Sequence, residues 1–284
     1  MANYTLETLA DDFVFLEGPR WHGGQLWLSD MWANTVYTLS EAGKRSKVAT
    51  FPQRPSGINF LPDGRVVVVS MADKRLMLVG ADGALSPYAD LSGMVAHDIN
   101  DTVCDRDGNI YVGNFGYDLL NHAEPKTAEL IMVTPAGQCR VVADGLEFPN
   151  GAVITPDGGT LIIAETFGHK LTAFNRAADG SLSGRRVWAA LGERTPDGIC
   201  LDASGAVWVS SFMTGEFVRV GEGGEVLDVI STGDKRAVAC NLGGADGHTF
   251  FGLTFDGALE DVASGKRLAR VEVCRVAVGA AGSP

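Results

Sequence analysis

Positive charge, sulfur in metal-binding spacing and sustained helical periodicity are all scarce in this chain of 284 residues. Lys and Arg number 23 against 35 Asp and Glu, a formal net charge of −12, and no basic run exceeds two residues. Such a field repels nucleic-acid phosphates and anionic lipid surfaces, so neither partner is expected. The five Cys (104, 139, 200, 240, 274) are odd in number and show no CxxC spacing, which argues against a disulfide framework or a thiolate zinc site. There is no run of 18 apolar residues, and the N-terminal MANYTLETLADD lacks a basic start and an apolar core; a cytoplasmic location is therefore expected. No segment keeps a helical apolar period for three turns, which disfavours a helical fold.

What is abundant is glycine, 36 residues, nearly twice the average usage of about 7%, together with a repeated strand. LWLSD from Leu26, VVVVS from Val66, IYVGN from Ile110, LIIAE from Leu161, VWVSS from Val207 and FFGLT from Phe250 start at offsets of 40, 44, 51, 46 and 43 residues. A period of roughly 45 holds about four strands and is the signature of a propeller blade. The expected fold is all-β, a six-bladed β-propeller forming one domain over residues 1–284. The last unit lacks an outer strand, whereas YTLETLADDFVFLEGPRW resembles an outer strand plus an entry loop. The N-terminal strand is thus expected to complete the last blade, and deletion of residues 1–12 to destabilise the ring.

About ten residues before each second strand, the six units carry Glu17, Ser56, Asn100, Asn150, Asp197 and Cys240. Pseudo-symmetry brings these positions to one mouth of the central channel. Glu17, Asn100, Asn150 and Asp197 offer carboxylate and amide oxygens, a hard donor set suited to Ca²⁺, with Mg²⁺, Mn²⁺ or Zn²⁺ as alternatives. Asn-Gly and Asp-Gly pairs also form turns, but four oxygen donors at equivalent positions of a repeat are not explained by turns alone.

The segments LEGPRW, NDTVCDRDGNIYVGN, FPNGAVITPDGGTLIIAET and TPDGICLDASGAVWVSS resemble those of the SMP-30/gluconolactonase/luciferin-regenerating-enzyme (LRE-like) family. That resemblance implies a six-bladed propeller holding one divalent metal through Glu17, Asn150 and Asp197, with Asn100 facing the metal or substrate. It also implies hydrolysis of lactones or, in some relatives, of organophosphates. A polarised carbonyl and a proton-accepting carboxylate are the parts such chemistry needs. Asp197 is the candidate base, Asp101 a second candidate, and Asn100 a further catalytic-site residue.

Since second strands run back toward the ring, Trp32, Met71, Phe115, Glu165, Phe167 and Phe212 are expected along the substrate pocket, with His97 and Asp98 from the segment before Asn100. Family members acting on sugar lactones often carry Arg where this chain has Asp98. With an aromatic rim, this departure points to a lactone less polar than a sugar lactone. A metal-dependent lactonase acting on a small-molecule ester ring is the leading expectation. A phosphotriesterase-like hydrolase and a non-catalytic small-molecule-binding propeller remain open.

Overall fold

The computed structural model describes residues 4–282, so positions 1–3 of the N-terminal segment and the terminal Ser283-Pro284 lie outside the described residues. Its strands form six four-stranded antiparallel sheets, the six blades of a β-propeller. Blade one spans Leu16–Thr50, blade two Pro55–Asp90, blade three Ile99–Leu146, blade four Pro149–Ala190 and blade five Pro196–Ser231. Blade six is built from Arg236–Gly243, Thr249–Phe255 and Ala269–Arg275, and its fourth strand is the N-terminal Glu7–Phe13. Glu7 pairs with Val273, Ala10 with Val271 and Phe13 with Ala269, which closes the ring and covers an otherwise open edge.

The second strands are buried on both faces because each blade is sandwiched between two others. That explains why VVVVS and LIIAE read as continuous β-branched runs rather than alternating ones. Between blades five and six, Trp208, Phe217 and Phe250 meet at 5.0 and 5.1 Å. Between blades six and one, Trp21 stacks on Phe251 at 5.3 Å. Among the described residues no helix is long and apolar enough to cross a membrane.

One irregularity recurs in every blade. Each inner strand carries an extra residue relative to its partner: between Glu17 and Arg20, Pro55 and Ile58, Ile99 and Thr102, Pro149 and Ala152, Pro196 and Ile199, and Ala237 and Ala239. Bulges bend a strand and re-aim its side chains. Here they turn Glu17, Ser56, Asn100, Asn150 and Asp197 together at equivalent positions. The following residue is Gly18, Gly57, Asp101, Gly151, Gly198 or Ala239, and packing around the axis is tight at this step. A Cβ on Gly151 would lie 2.6 Å from the Ile199 amide nitrogen, and one on Gly198 would collide with the Ala239 side chain.

The bulge in blade six corrects one expectation. Ala237 pairs with Thr254, the last residue but one of its second strand, so Val238 is the bulge residue equivalent to Asp197. Cys240 sits two residues further along, buried, with its Sγ 3.7 Å from that of Cys200. The sixth ring position is therefore an aliphatic side chain.

Candidate metal and catalytic site

Glu17, Asn100, Asn150 and Asp197 are all buried, at 8%, 4%, 6% and 9% exposure. Burial pushes the Glu17 carboxyl well above its usual range, and the nearby charges of Asp197 and Asp101 raise it further. Burial likewise pushes the Asp197 carboxyl up to about 8; the Asn150 side chain draws it down and Asp101 adds to the rise. The channel mouth thus gathers three carboxylates at the cost of their hydration. The Asp197 Oδ1 atom is buried without a hydrogen-bond partner.

The fixed donors around the site are few. Asn150 donates through Nδ2 to Thr166 Oγ1 at 3.3 Å, and that hydroxyl donates to the Pro196 carbonyl at 2.7 Å. This chain ties the Asn150 side chain to the residue just before Asp197 and commits the amide nitrogen, not the amide oxygen. Asp101 takes the bulge position that glycine fills in blades one, two, four and five. Its Oδ1 accepts from the Thr102 amide at 2.8 Å and from Arg20 Nη2 at 3.3 Å. Arg20 also donates to the Thr102 and Pro19 carbonyls at 2.6 and 2.9 Å, and both partners of the pair are buried. Asn59 donates to Thr102 Oγ1 at 2.6 Å. The first, second and third blades are thereby joined by a satisfied polar plug behind the carboxylates.

A divalent cation fits this donor set. Two crowded carboxylates with raised proton affinity and one orphaned carboxylate oxygen are what a hard cation neutralises, and the Asn150 amide oxygen is an uncharged donor of the same class. Among the described residues no three His, Cys, Asp or Glu side chains form a ligand group by themselves, so amide oxygens would have to complete the shell.

The pocket residues divide. His97, Asp98 and Phe115 line a cavity of about 270 Å³ roofed by the long connection of blade three, with Tyr117, Leu119 and Leu120 on its other wall. Trp32 stands at its edge, its ring 4.9 Å from the Arg54 guanidinium, which in turn bonds Asp98 at 2.5 Å. Phe115 stacks on Phe148 at 4.5 Å, and Phe167, 44% exposed, meets Phe148 edge-on at 5.0 Å. Phe212 lies 6.3 Å from Phe15, just upstream of Glu17. Met71 is buried in the hydrophobic core, and Glu165 is fully buried, its carboxylate taken up by bonds within the protein. The Glu165 carboxylate accepts from the Glu147 amide at 2.7 Å, from Thr172, and from Arg185 at 3.3 Å. Equivalent strand ends do the same work. Asp30 accepts from the Val14 and Phe15 amides, and Ser211 from the Thr195 amide, in each case fastening the approach to a ring residue. A larger recess of about 500 Å³, lined by Met132, Cys139, Arg140 and Asp179, includes none of the ring residues.

Arg20, Arg54 and Thr166 are the site residues that sequence reasoning missed. Arg54 was legible: it stands two residues before Ser56, as Asp98 stands two before Asn100.

The chain as a whole is similar to several known proteins. A Pseudomonas putida 6-deoxy-6-sulfogluconolactonase is 27% identical over 126 residues, a match spanning only 43% of each protein. A Zymomonas mobilis gluconolactonase is 23% identical over 278 residues, covering 87% of this chain and 78% of that one. Among solved structures, a regucalcin from Agrobacterium tumefaciens, described as a calcium-binding protein, superposes with a TM-score of 0.83 at 20% identity, covering 99% of this chain and 97% of the other. The model of the SMP-30/Gluconolactonase/LRE-like region matches residues 15–254, and with that span the chain belongs to this family.

Proposed function

We propose that the protein is a divalent-metal-dependent hydrolase that opens a lactone ring. The observation that carries this reading is the buried carboxylate group at the channel mouth, with Asp197 Oδ1 unpartnered and Asp197 and Glu17 both shifted toward the protonated form. Lactonases among the relatives support the substrate class, and the calcium-binding structural neighbour supports the ion. Glu17, Asp197, Asn150 and Asn100 would hold the cation, Ca²⁺ by the hardness of the donors. Bound there, it would polarise the lactone carbonyl and acidify water.

The remaining work falls to the chain's own residues. Asp197, with a free oxygen, takes a proton from the water whose oxygen attacks the carbonyl carbon. The carbon–oxygen bond of the ring then breaks, and the leaving ring oxygen recovers a proton from Asp197. The product is a hydroxy acid, which ionises and releases one proton near neutral pH. Asp101, held by Arg20 and the Thr102 amide, contributes charge rather than proton transfer. Phe115, Phe148, Phe167 and Phe212 exclude bulk water from the reacting ring, and their apolar faces pack against its carbon framework.

The test is pH-stat hydrolysis of γ- and δ-lactones of graded polarity, before and after chelation and with each metal returned. Activity lost with chelator and restored by Ca²⁺ is expected. Asp197→Asn is expected to lose at least about 100-fold in kcat, the scale of general-base removal, with an unaltered fold. Full activity in chelator, or in Asp197→Asn, would refute the mechanism.

A further inference from the structure

The residues two positions upstream of the ring form a second tier, five of them in the segments that lead into the inner strands and Arg236 at the first residue of its strand. They are Phe15, Arg54, Asp98, Phe148, Thr195 and Arg236. Two are guanidiniums, and they differ in one respect. Arg54 is neutralised by Asp98 at 2.5 Å. Arg236 pairs with no carboxylate among the described residues; its Nε donates to the Gly257 carbonyl at 3.0 Å, its Nη1 approaches Met213 Sδ at 3.5 Å, and its guanidinium sits 5.2 Å from the centre of the Phe212 ring. Gly257 and Met213 belong to the connections that follow the second strands of blades six and five, at the ring end of the channel.

A chain with a net charge of −12 thus keeps an uncompensated guanidinium, half-buried and backed by an aromatic face, above a ring of carboxylates. Only neutral acceptors hold it in place, and Nη2 has no hydrogen-bond partner among the described residues. That is the state of an anion receptor: a planar donor fork, oriented and partly desolvated, awaiting a carboxylate, sulfonate or phosphate.

We propose that Arg236 is a specificity-determining residue that binds an anionic substituent of the substrate, so that the preferred lactone carries a carboxylate, sulfonate or phosphate group at a distance from its ring carbonyl. The inference rests on the lactonase reading for the reaction, but not for the recognition. The carbonyl is placed over Glu17, Asn150 and Asp197, and the anion in the sector between blades five and six.

The experiment compares glucono-δ-lactone with its 6-phosphate, 6-sulfonate and 6-carboxylate counterparts, using the metal-loaded wild type, Arg236→Met and Arg236→Lys. Arg65→Met is the control, since Arg65 pairs with Asp63 in an exposed hairpin turn. Melting curves check folding. The wild type is expected to favour an anionic lactone through a lower KM, more so at low salt. Arg236→Met should cut the anionic-to-neutral ratio of kcat/KM by about 10- to 100-fold, the scale of a lost charge-assisted bond, and Arg236→Lys should restore part of it. Which anion gains most identifies the source. An unchanged ratio in Arg236→Met, or equal losses on neutral and anionic lactones, overturns the proposal. If no lactone is hydrolysed, calorimetry with 6-phosphogluconate and gluconate decides. Tighter binding of the phosphate in the wild type, equalised in Arg236→Met, sustains anion recognition while the lactonase reading falls; equal binding in the wild type overturns both.

Discussion

Raising the pH of the metal-free protein from 5 to 8 should destabilise it, against the usual behaviour of carboxylates. Most paired carboxyl groups have lowered pKa values and lose their stabilising effect as pH falls. Asp197 is the reverse case: burial lifts its carboxyl from 3.8 to about 8, so the folded chain binds a proton that the unfolded chain has released. The stability tied to that proton is fully present below about 3.8 and is lost as the pH climbs to 8. At 1.36 kcal/mol per pH unit, this group alone would cost up to roughly 4 kcal/mol between pH 5 and 8. Glu17 is raised in the same direction by burial and by the nearby charges of Asp197 and Asp101, so Glu17 and Asp197 reinforce one another. For a chain of this length a change of 1 kcal/mol moves Tm by about 2 °C, so a fall on the order of 5–10 °C is expected in chelator. Calcium should flatten the profile, because it competes with the proton and binds better as pH rises. His22, whose pKa is lowered by burial, acts in the opposite sense across part of this window. Comparison with Asp197→Asn cancels that contribution. The assay is scanning fluorimetry from pH 5 to 8 with and without Ca²⁺. A metal-free profile that stays flat or rises, and that coincides with the profile of Asp197→Asn, would refute the claim that buried charge at the mouth is what the cation relieves.

Arg20→Met removes one partner of a buried ion pair and leaves Asp101 charged among Glu17 and Asp197; a loss of about 3–5 kcal/mol is expected, recovered in part by Arg20→Met/Asp101→Asn, and equal stability of single and double variants in thermal melts would contradict it. Gly198→Ala places a methyl against the Ala239 side chain and backbone. About 1–3 kcal/mol of strain is expected, with weaker Ca²⁺ protection because Asp197 precedes it; calcium titration followed by melting checks both. Deletion of residues 1–12 strips the pairs of Glu7, Thr8 and Ala10 with the edge of blade six. It should lower Tm by more than 10 °C or abolish folding, and an unchanged Tm would show that the ring closes without its N-terminal strand.

The six-fold architecture was legible because each blade repeats one strand whose two-sided burial forces a β-branched run, and because a closed ring leaves the N-terminal strand only one partner. The oxygen ring was legible for a related reason. Four of its members are followed by glycine, at Gly18, Gly57, Gly151 and Gly198, the residue that tolerates the crowding of successive bulges at the axis. The fixed spacing that located these positions explains the failure in blade six. Counting back a fixed distance from the second strand assumes strands of equal length, whereas the inner and second strands of blade six are longer, paired from Arg236 with Phe255 to Gly243 with Thr249. Its bulge falls at Val238-Ala239, before Cys240.

Strand-end polar residues were harder to place, since an ionisable group near a mouth reads the same whether it faces substrate or backbone. Asp30 and Glu165 spend their oxygens on the amides of Val14, Phe15 and Glu147, which hold the approach to Glu17 and Asn150. Those bonds join residues 15 to 18 positions apart, and no local pattern announces them. The tier above the ring, by contrast, needed only a two-residue step upstream from ring positions, in blade six once the bulge at Val238 is placed. Arg54 and Asp98 then emerge as neighbours across blades two and three, and Arg236 as the guanidinium without a counter-charge. In the proposed reaction, chemistry thus falls to the bulge residues, which repeat around the ring, and substrate choice to the tier above them, where no two neighbouring blades present the same side chain.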